Sequence, residues 1–101
     1  MTVSFENAVI TNLYQTPTDR LGKQKFPKSV VDKFQKTIKM IKMMANFSDM
    51  SKFKGLRPEK LKEDKYKDCY SVKVNDQYRV ILKKGAQRGS IVILELSKHY
   101  E

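Results

Sequence analysis

The sequence predicts an α+β fold in which N-terminal helices pack on one face of a small, antiparallel-dominated sheet. Three observations predict it. A short N-terminal strand is followed by two stretches of helical periodicity. Two alternating segments, 70–74 and 78–82, then flank a short polar turn. A last run, Ile91 to Leu96, is apolar on both faces, as suits a central strand covered by helix on one side.

Thr2 to Phe5 fits a short edge strand. Ala8, Val9, Ile10, Leu13 and Tyr14 then fit a helix from about Glu6 to Gln15. Thr16 to Pro27 holds Pro17, Gly22 and Pro27 among polar residues and reads as a loop. Val31, Phe34, Ile38, Ile41 and Ala45 recur at helical spacing, with Ser29 as a candidate N-cap and Asp32 three residues on. This predicts a second helix from about Val30 to Asn46. Met40, Met43 and Met44 widen its apolar stripe and read as core filler, with an adaptable partner groove as the alternative. Met50 to Lys67 is lysine-rich, with apolar anchors at Phe53, Leu56 and Leu61. It predicts irregular chain with one short strand near Glu59 to Lys62. Lys83 to Ser90 carries two glycines and reads as a flexible basic loop.

The hairpin fixes its own register. Tyr70, Val72 and Val74 share one face of the first strand, and Tyr78, Val80 and Leu82 one face of the second. A two-residue loop would pair Val74 with Arg79 and mix the faces. A three-residue loop, Asn75-Asp76-Gln77, pairs Val72 with Val80 and Lys73 with Arg79, so we expect the latter. That register sets two cations opposite each other on the solvated face, at a cost of roughly 0.2–1 kcal/mol unless an anion lies between them. The arrangement suggests an anionic ligand; the alternative is that both side chains splay into water.

The 101 residues carry 21 Lys plus Arg against 11 Asp plus Glu, a formal net charge of +10, and are expected to form a single domain. Residues 52 to 88 hold twelve of the basic residues and five of the acidic ones, so most of the surplus lies in about a third of the chain. A polyanionic partner, nucleic acid first, follows. Cys69 is the only cysteine, which excludes an intramolecular disulfide and fits a reducing cytoplasm. Its neighbour Asp68 disfavours a thiolate, so Cys69 reads as packing near a strand start. No apolar stretch approaches the ~20 residues that span a membrane, and no signal-peptide core is evident, so a cytoplasmic protein is expected.

Arg57-Pro-Glu-Lys-Leu-Lys-Glu-Asp64, then Tyr70-Ser-Val-Lys-Val-Asn-Asp-Gln-Tyr-Arg-Val80 and a terminal apolar strand running into His99-Tyr100, resemble the RelE superfamily of bacterial toxins, in particular its HigB branch. The resemblance implies a type II toxin-antitoxin toxin with a RelE-like fold, acting as a ribosome-dependent endoribonuclease on messenger RNA. It also implies a neighbouring antitoxin, expected to be a small helix-turn-helix protein. Position by position, Lys62 falls on the family's loop lysine, Lys73 and Arg79 on its strand cations, and His99-Tyr100 on its catalytic C-terminal pair. The chain departs from the branch in the order of that pair, in Glu59 where a histidine is common, and in Glu63 and Asp68 where glycines are common.

The residues themselves can supply the chemistry. Metal-free transesterification of RNA needs a base for the 2′-hydroxyl proton, cations for the pentacovalent phosphorane and an acid for the leaving 5′ oxygen. Lys62, Lys73 and Arg79 are the candidate cations, Arg79 being suited to hold two phosphate oxygens. His99 is the only imidazole, with an unperturbed pKa of about 6.5. Tyr100 can share proton transfer only if cations pull its pKa well below ~10. The other reading of His99 is an ordinary polar residue on a terminal tail. Lys54, Arg57, Lys60, Lys65, Lys67, Lys83, Lys84 and Arg88 are candidate RNA contacts, and Tyr66 a candidate for base stacking. Tyr70 and Tyr78 read as core. One His and one Cys cannot build a zinc site, and neither a cofactor nor a metal is expected. Two rival readings remain open: a ParE-like toxin directed at DNA gyrase, and a non-catalytic basic RNA-binding module.

Overall fold

The computed structural model describes residues 1–98. The elements run β1 (Thr2–Phe5), α1 (Ala8–Gln15), α2 (Lys28–Lys42), β2 (Glu59–Lys60), β3 (Cys69–Lys73), β4 (Tyr78–Lys84) and β5 (Ser90–Lys98). Short 3₁₀ turns lie at Thr18–Arg20, Phe47–Lys52 and Asp64–Tyr66. The five strands form one sheet in the order β1-β5-β4-β3-β2, with β1 parallel to β5 and the other pairs antiparallel. This is the expected α+β arrangement. Among the described residues, no helix is long and apolar enough to cross a membrane.

Local chemistry moved several boundaries. The first helix begins at Ala8 because Asn7 caps it, its Oδ1 accepting the Ile10 N–H at 3.1 Å. The second begins at Lys28, not Val30, and Ser29 is not its cap. Pro27 holds the cap position with φ −57°, and its carbonyl accepts from the N–H groups of Val30 and Val31. Asp32 instead accepts from the Thr18 hydroxyl at 2.7 Å, tying the preceding loop to α2. The helix ends at Lys42, short of Asn46, because Asp49 takes the backbone N–H groups of Ala45 and Asn46 at 3.1 and 3.2 Å and starts a separate turn.

The core lies between the helices and one sheet face. Val31, Phe34, Ile38 and Ile41 of α2 pack with Val72, Val80, Leu82, Ile91 and Ile93, all fully buried. Fully burying each such side chain contributes about 1.5–3 kcal/mol. Met44 and Met50 belong to this core, but the core-filler expectation fails for Met40 and Met43, which are exposed, Met43 at 88%. Helical spacing carries them past the edge of the buried stripe. Phe53, expected as an anchor, is likewise exposed, while Leu56 is buried as expected.

The hairpin has the expected three-residue loop: Val72 pairs with Val80 and Lys73 with Arg79. Asn75 closes it, its Oδ1 accepting from the N–H groups of Gln77 and Tyr78 at 2.8 Å each. Tyr78 is buried against Phe26 and Tyr70 packs on Phe47, so both tyrosines are in the apolar layer.

Candidate active site

The second sheet face was expected to be solvated and open. It is partly roofed. Ser71 and Ile81 point away from the core cluster yet are buried, because the segment around β2 and the Asp64–Tyr66 turn folds over them. Backbone bonds fix the two ends of this cover: Lys73 N–H to Leu56 O at 2.6 Å, and Leu61 N–H to Cys69 O at 3.0 Å. Cys69 starts β3 buried, as expected, and burial pushes its thiol pKa up.

Between the cover and the sheet lies a groove of about 470 Å³. Its lining includes Glu59, Lys60, Lys62 and Tyr66 from the cover, with Ser71, Arg79, Ile81, Ser97 and Lys98 from β3, β4 and β5. The strand registers explain the floor. Glu59, Ser71, Ile81 and Glu95 are successive partners across four strands, and Lys73, Arg79 and Ser97 are partners two residues along β4 on the same face.

Arg79 organises the groove. Its Nε donates to Ser71 Oγ at 2.8 Å, and its Nη2 donates to Arg57 O at 2.7 Å and to Ser71 O at 3.4 Å. Glu59 Oε2 lies 3.6 Å from the same Nη2. The side chain is only 14% exposed, so it is a held group and not the free surface cation expected from its alternation pattern. Its Nη1 has no acceptor among the described residues, which leaves one edge of the fork for a ligand. Arg57 turns its carbonyl inward from a left-handed backbone, φ 42°, a conformation rare for a non-glycine residue.

Lys73 takes a different path. Although directly opposite Arg79, its Nζ turns to Asp76 in the hairpin loop at 2.9 Å, and that bond holds the Asp76 carboxyl below the usual range. The paired cations therefore find acceptors within the chain, and their apposition does not by itself call for a bound anion. Lys73 does not line the groove.

Of the residues singled out in the sequence, the groove gathers Lys60, Lys62, Tyr66 and Arg79. Tyr66 is not a free stacking platform: its hydroxyl donates to Glu95, and Lys65 lies over its ring at 4.9 Å. Glu95 pushes the phenol pKa up to about 12. Lys67, Lys83 and Lys84 lie around a separate hollow with Asp68 and Tyr70, while Lys84 and Arg88 border another near Asn46. Lys54 and Arg57 are exposed side chains outside the groove. His99 and Tyr100 lie outside the described residues. Glu59, Ser71, Glu95 and Ser97 were not singled out as site residues; the registers alone bring them together. Among the described residues no three His, Cys, Asp or Glu groups are placed to hold a metal ion.

A model of the HigB-like toxin family, described as the RelE-like toxin of the type II toxin-antitoxin system HigB, matches residues 3–99. Among curated protein sequences there is no significant match. The YoeB/ParE toxin from Agrobacterium tumefaciens superposes with a TM-score of 0.61 at 18% identity, covering 99% of this chain and 100% of that one. A chain of the YoeB-YefM complex from Staphylococcus aureus superposes with a TM-score of 0.60 at 20% identity, covering 99% of this chain and 98% of that one. At these identities the likeness is one of fold.

Proposed function

This chain belongs to the HigB-like family of RelE-like type II toxins, and from that membership we propose that it is a ribosome-dependent endoribonuclease that cuts messenger RNA at the Arg79 groove. The observation that carries the reading is the convergence of three features. A guanidinium with an open Nη1 edge, the Lys62 ammonium and the end of β5 at Lys98 all border one groove. His99 and Tyr100 follow Lys98 directly in sequence.

The roles follow from the chemistry. Arg79 and Lys62 hold the non-bridging oxygens of the scissile phosphate and stabilise the charge that builds on the phosphorane. One proton leaves the 2′-hydroxyl as its oxygen attacks phosphorus. The bond to the 5′ oxygen breaks, and a second proton caps that leaving oxygen, giving a 2′,3′-cyclic phosphate and a free 5′-hydroxyl. We assign these transfers to His99 and Tyr100. Glu59, beside Arg79 on the groove wall, is a second candidate for the base that takes the first proton, in place of Tyr100. Lys73 steadies the hairpin through Asp76 and reaches RNA only if that pair opens.

The cations outside the groove, the exposed Lys54, Arg57, Lys65, Lys67, Lys84 and Arg88 with the half-buried Lys83, contribute attraction to ribosomal and messenger RNA. The reading further takes the chain as one domain acting in the cytoplasm, silenced by a cognate antitoxin, as the neighbouring structure of a YoeB-YefM complex suggests. A purified, ribosome-programmed cleavage assay tests it. Cuts that require translating ribosomes and vanish in Arg79→Ala support the reading; intact transcripts with the wild-type chain refute it.

A further inference from the structure

Lys62 sits on a cover that has little secondary structure of its own. The strand it leaves, β2, is two residues long, and residues 61 to 68 hold one 3₁₀ turn. At the β2 end, Arg79 fastens the cover through Arg57 O and Glu59. At the other end, the Tyr66 hydroxyl crosses to Glu95 on β5. The stretch that carries Lys62 is thus held by these two side-chain attachments to groove-side residues of the sheet, beside the backbone bond of Leu61 N–H to Cys69 O.

Glu95 owes its position to an irregularity. Along β5 the core residues are Ile91, Ile93 and Leu96, a spacing of two and then three. Ile81 pairs with Glu95 but Leu82 pairs with Ile93, so Leu94 is an extra residue in β5. Strict alternation from Ile91 and Ile93 would have aimed residue 95 into the apolar layer, where an ionised carboxylate is costly. The bulge turns it to the groove side instead, the kind of redirection for which bulges recur beside functional sites.

We propose that the Tyr66–Glu95 hydrogen bond is a clasp that fixes the 61–67 segment over the groove, making Tyr66 and Glu95 positioning residues for Lys62. The bond has a charged acceptor, the stronger class of hydrogen bond. Because Tyr66 ionises only near pH 12, it remains a donor throughout the physiological range. Its hydroxyl is committed to Glu95 and serves as an anchor. The consequence for cleavage rests on the nuclease reading given above; the consequence for the segment's mobility does not.

Hydrogen–deuterium exchange on the full-length chain, beside the ribosome-programmed cleavage assay, separates the two. The Tyr66 and Lys67 amides bond to Glu63 O and Asp64 O, and the Leu61 amide to Cys69 O, so their protection reports the closed segment. Tyr66→Phe and Glu95→Ala should each lower protection across 61–67 by about tenfold or more, leaving β4 unchanged. The double variant should be no worse than either single one. Glu95→Gln, whose amide oxygen still accepts the phenol proton, should keep most of the protection and most of the cleavage rate. Cleavage kcat should fall in Tyr66→Phe and Glu95→Ala. Unchanged exchange in those two variants would overturn the clasp. So would a Glu95→Gln variant as defective as Glu95→Ala, or a mobile segment with full cleavage. If the exchange pattern holds while the wild-type chain leaves messenger RNA intact, the clasp stands and the nuclease reading falls.

Discussion

Lys73 and Arg79 are direct partners across β3 and β4, yet their side chains part: Lys73 goes to Asp76 at 2.9 Å and Arg79 to Ser71 Oγ at 2.8 Å. Equivalent by alternation, they differ in use. One is pinned at the hairpin loop, and the other is built into the groove with one edge left open.

Arg79 should therefore matter to stability as well as activity. Read as a surface cation it would be removable without cost. In the structure, Arg79→Ala leaves the buried Ser71 hydroxyl and the Arg57 carbonyl without their donor. We expect a loss of about 1–3 kcal/mol in denaturant unfolding together with abolished toxicity. Arg79→Lys should recover part of the stability but not the activity, because an ammonium cannot span these acceptors and a phosphate at once. An unchanged unfolding midpoint for Arg79→Ala would contradict the held arrangement.

Position relative to the groove predicts a graded response among the lysines. Lys62→Ala should reduce the cleavage step itself. Lys84→Ala, away from the groove, should weaken ribosome binding and lower its salt slope by about one unit if it neutralises one phosphate. Lys73→Ala should fall between them, acting through the hairpin loop. Equal kcat losses for Lys62 and Lys84 would argue against the groove as the reaction centre.

Much of the hairpin was legible because its two apolar faces admit a single register. The terminal strand was not, since consecutive apolar residues from Ile91 to Leu94 hide the parity on which Glu95 depends. The roof over Ser71 and Ile81 was equally hidden. Its hydrophobic content is slight, and its attachments are backbone bonds and two polar side chains that no periodicity announces. The capping errors were local: Ser29 resembles an N-cap by type, but Pro27 had already set the backbone two residues earlier. The Asp49 turn that halts the chain after α2 was visible only as an Asn46-x-x-Asp49 spacing at the end of what read as helix.

The pH dependence separates two regions. Lys52 and the Asn46 N–H hold the Asp49 carboxyl low, and Lys73 does the same for Asp76. Their folded-state pKa values lie below the unfolded ones, so their contribution is present above about pH 4 and lost as pH falls through the folded values. Tyr66 has the opposite sign. Its phenol is raised to about 12, so its contribution is complete below about pH 10 and lost as pH rises toward 12. Ultraviolet titration should show a tyrosine ionisation step near pH 12, and Tyr66→Phe should remove that step. Its persistence in Tyr66→Phe would refute the assignment.

Asp68 occupies a left-handed backbone position, φ 62°, just before β3. Asp68→Gly should be neutral to stabilising by up to about 1 kcal/mol in chemical unfolding, because glycine meets no Cβ penalty there. Asp68→Val should destabilise by more, since a β-branched side chain fits that region poorly. A stabilising valine would show that the turn has another conformation in solution.

In the proposed function, the chain cuts translated messenger RNA with groove residues and the C-terminal pair. Mapping transcript 5′ ends after brief induction in a bacterial host tests it most directly, comparing wild type with Arg79→Ala, Glu59→Gln, His99→Ala and Tyr100→Phe. New 5′ ends are expected at a fixed codon position within translated regions, lost in Arg79→Ala and reduced in the His99 and Tyr100 variants. Growth arrest with intact transcripts, accompanied by a DNA-damage response, would contradict it and point to gyrase as the target.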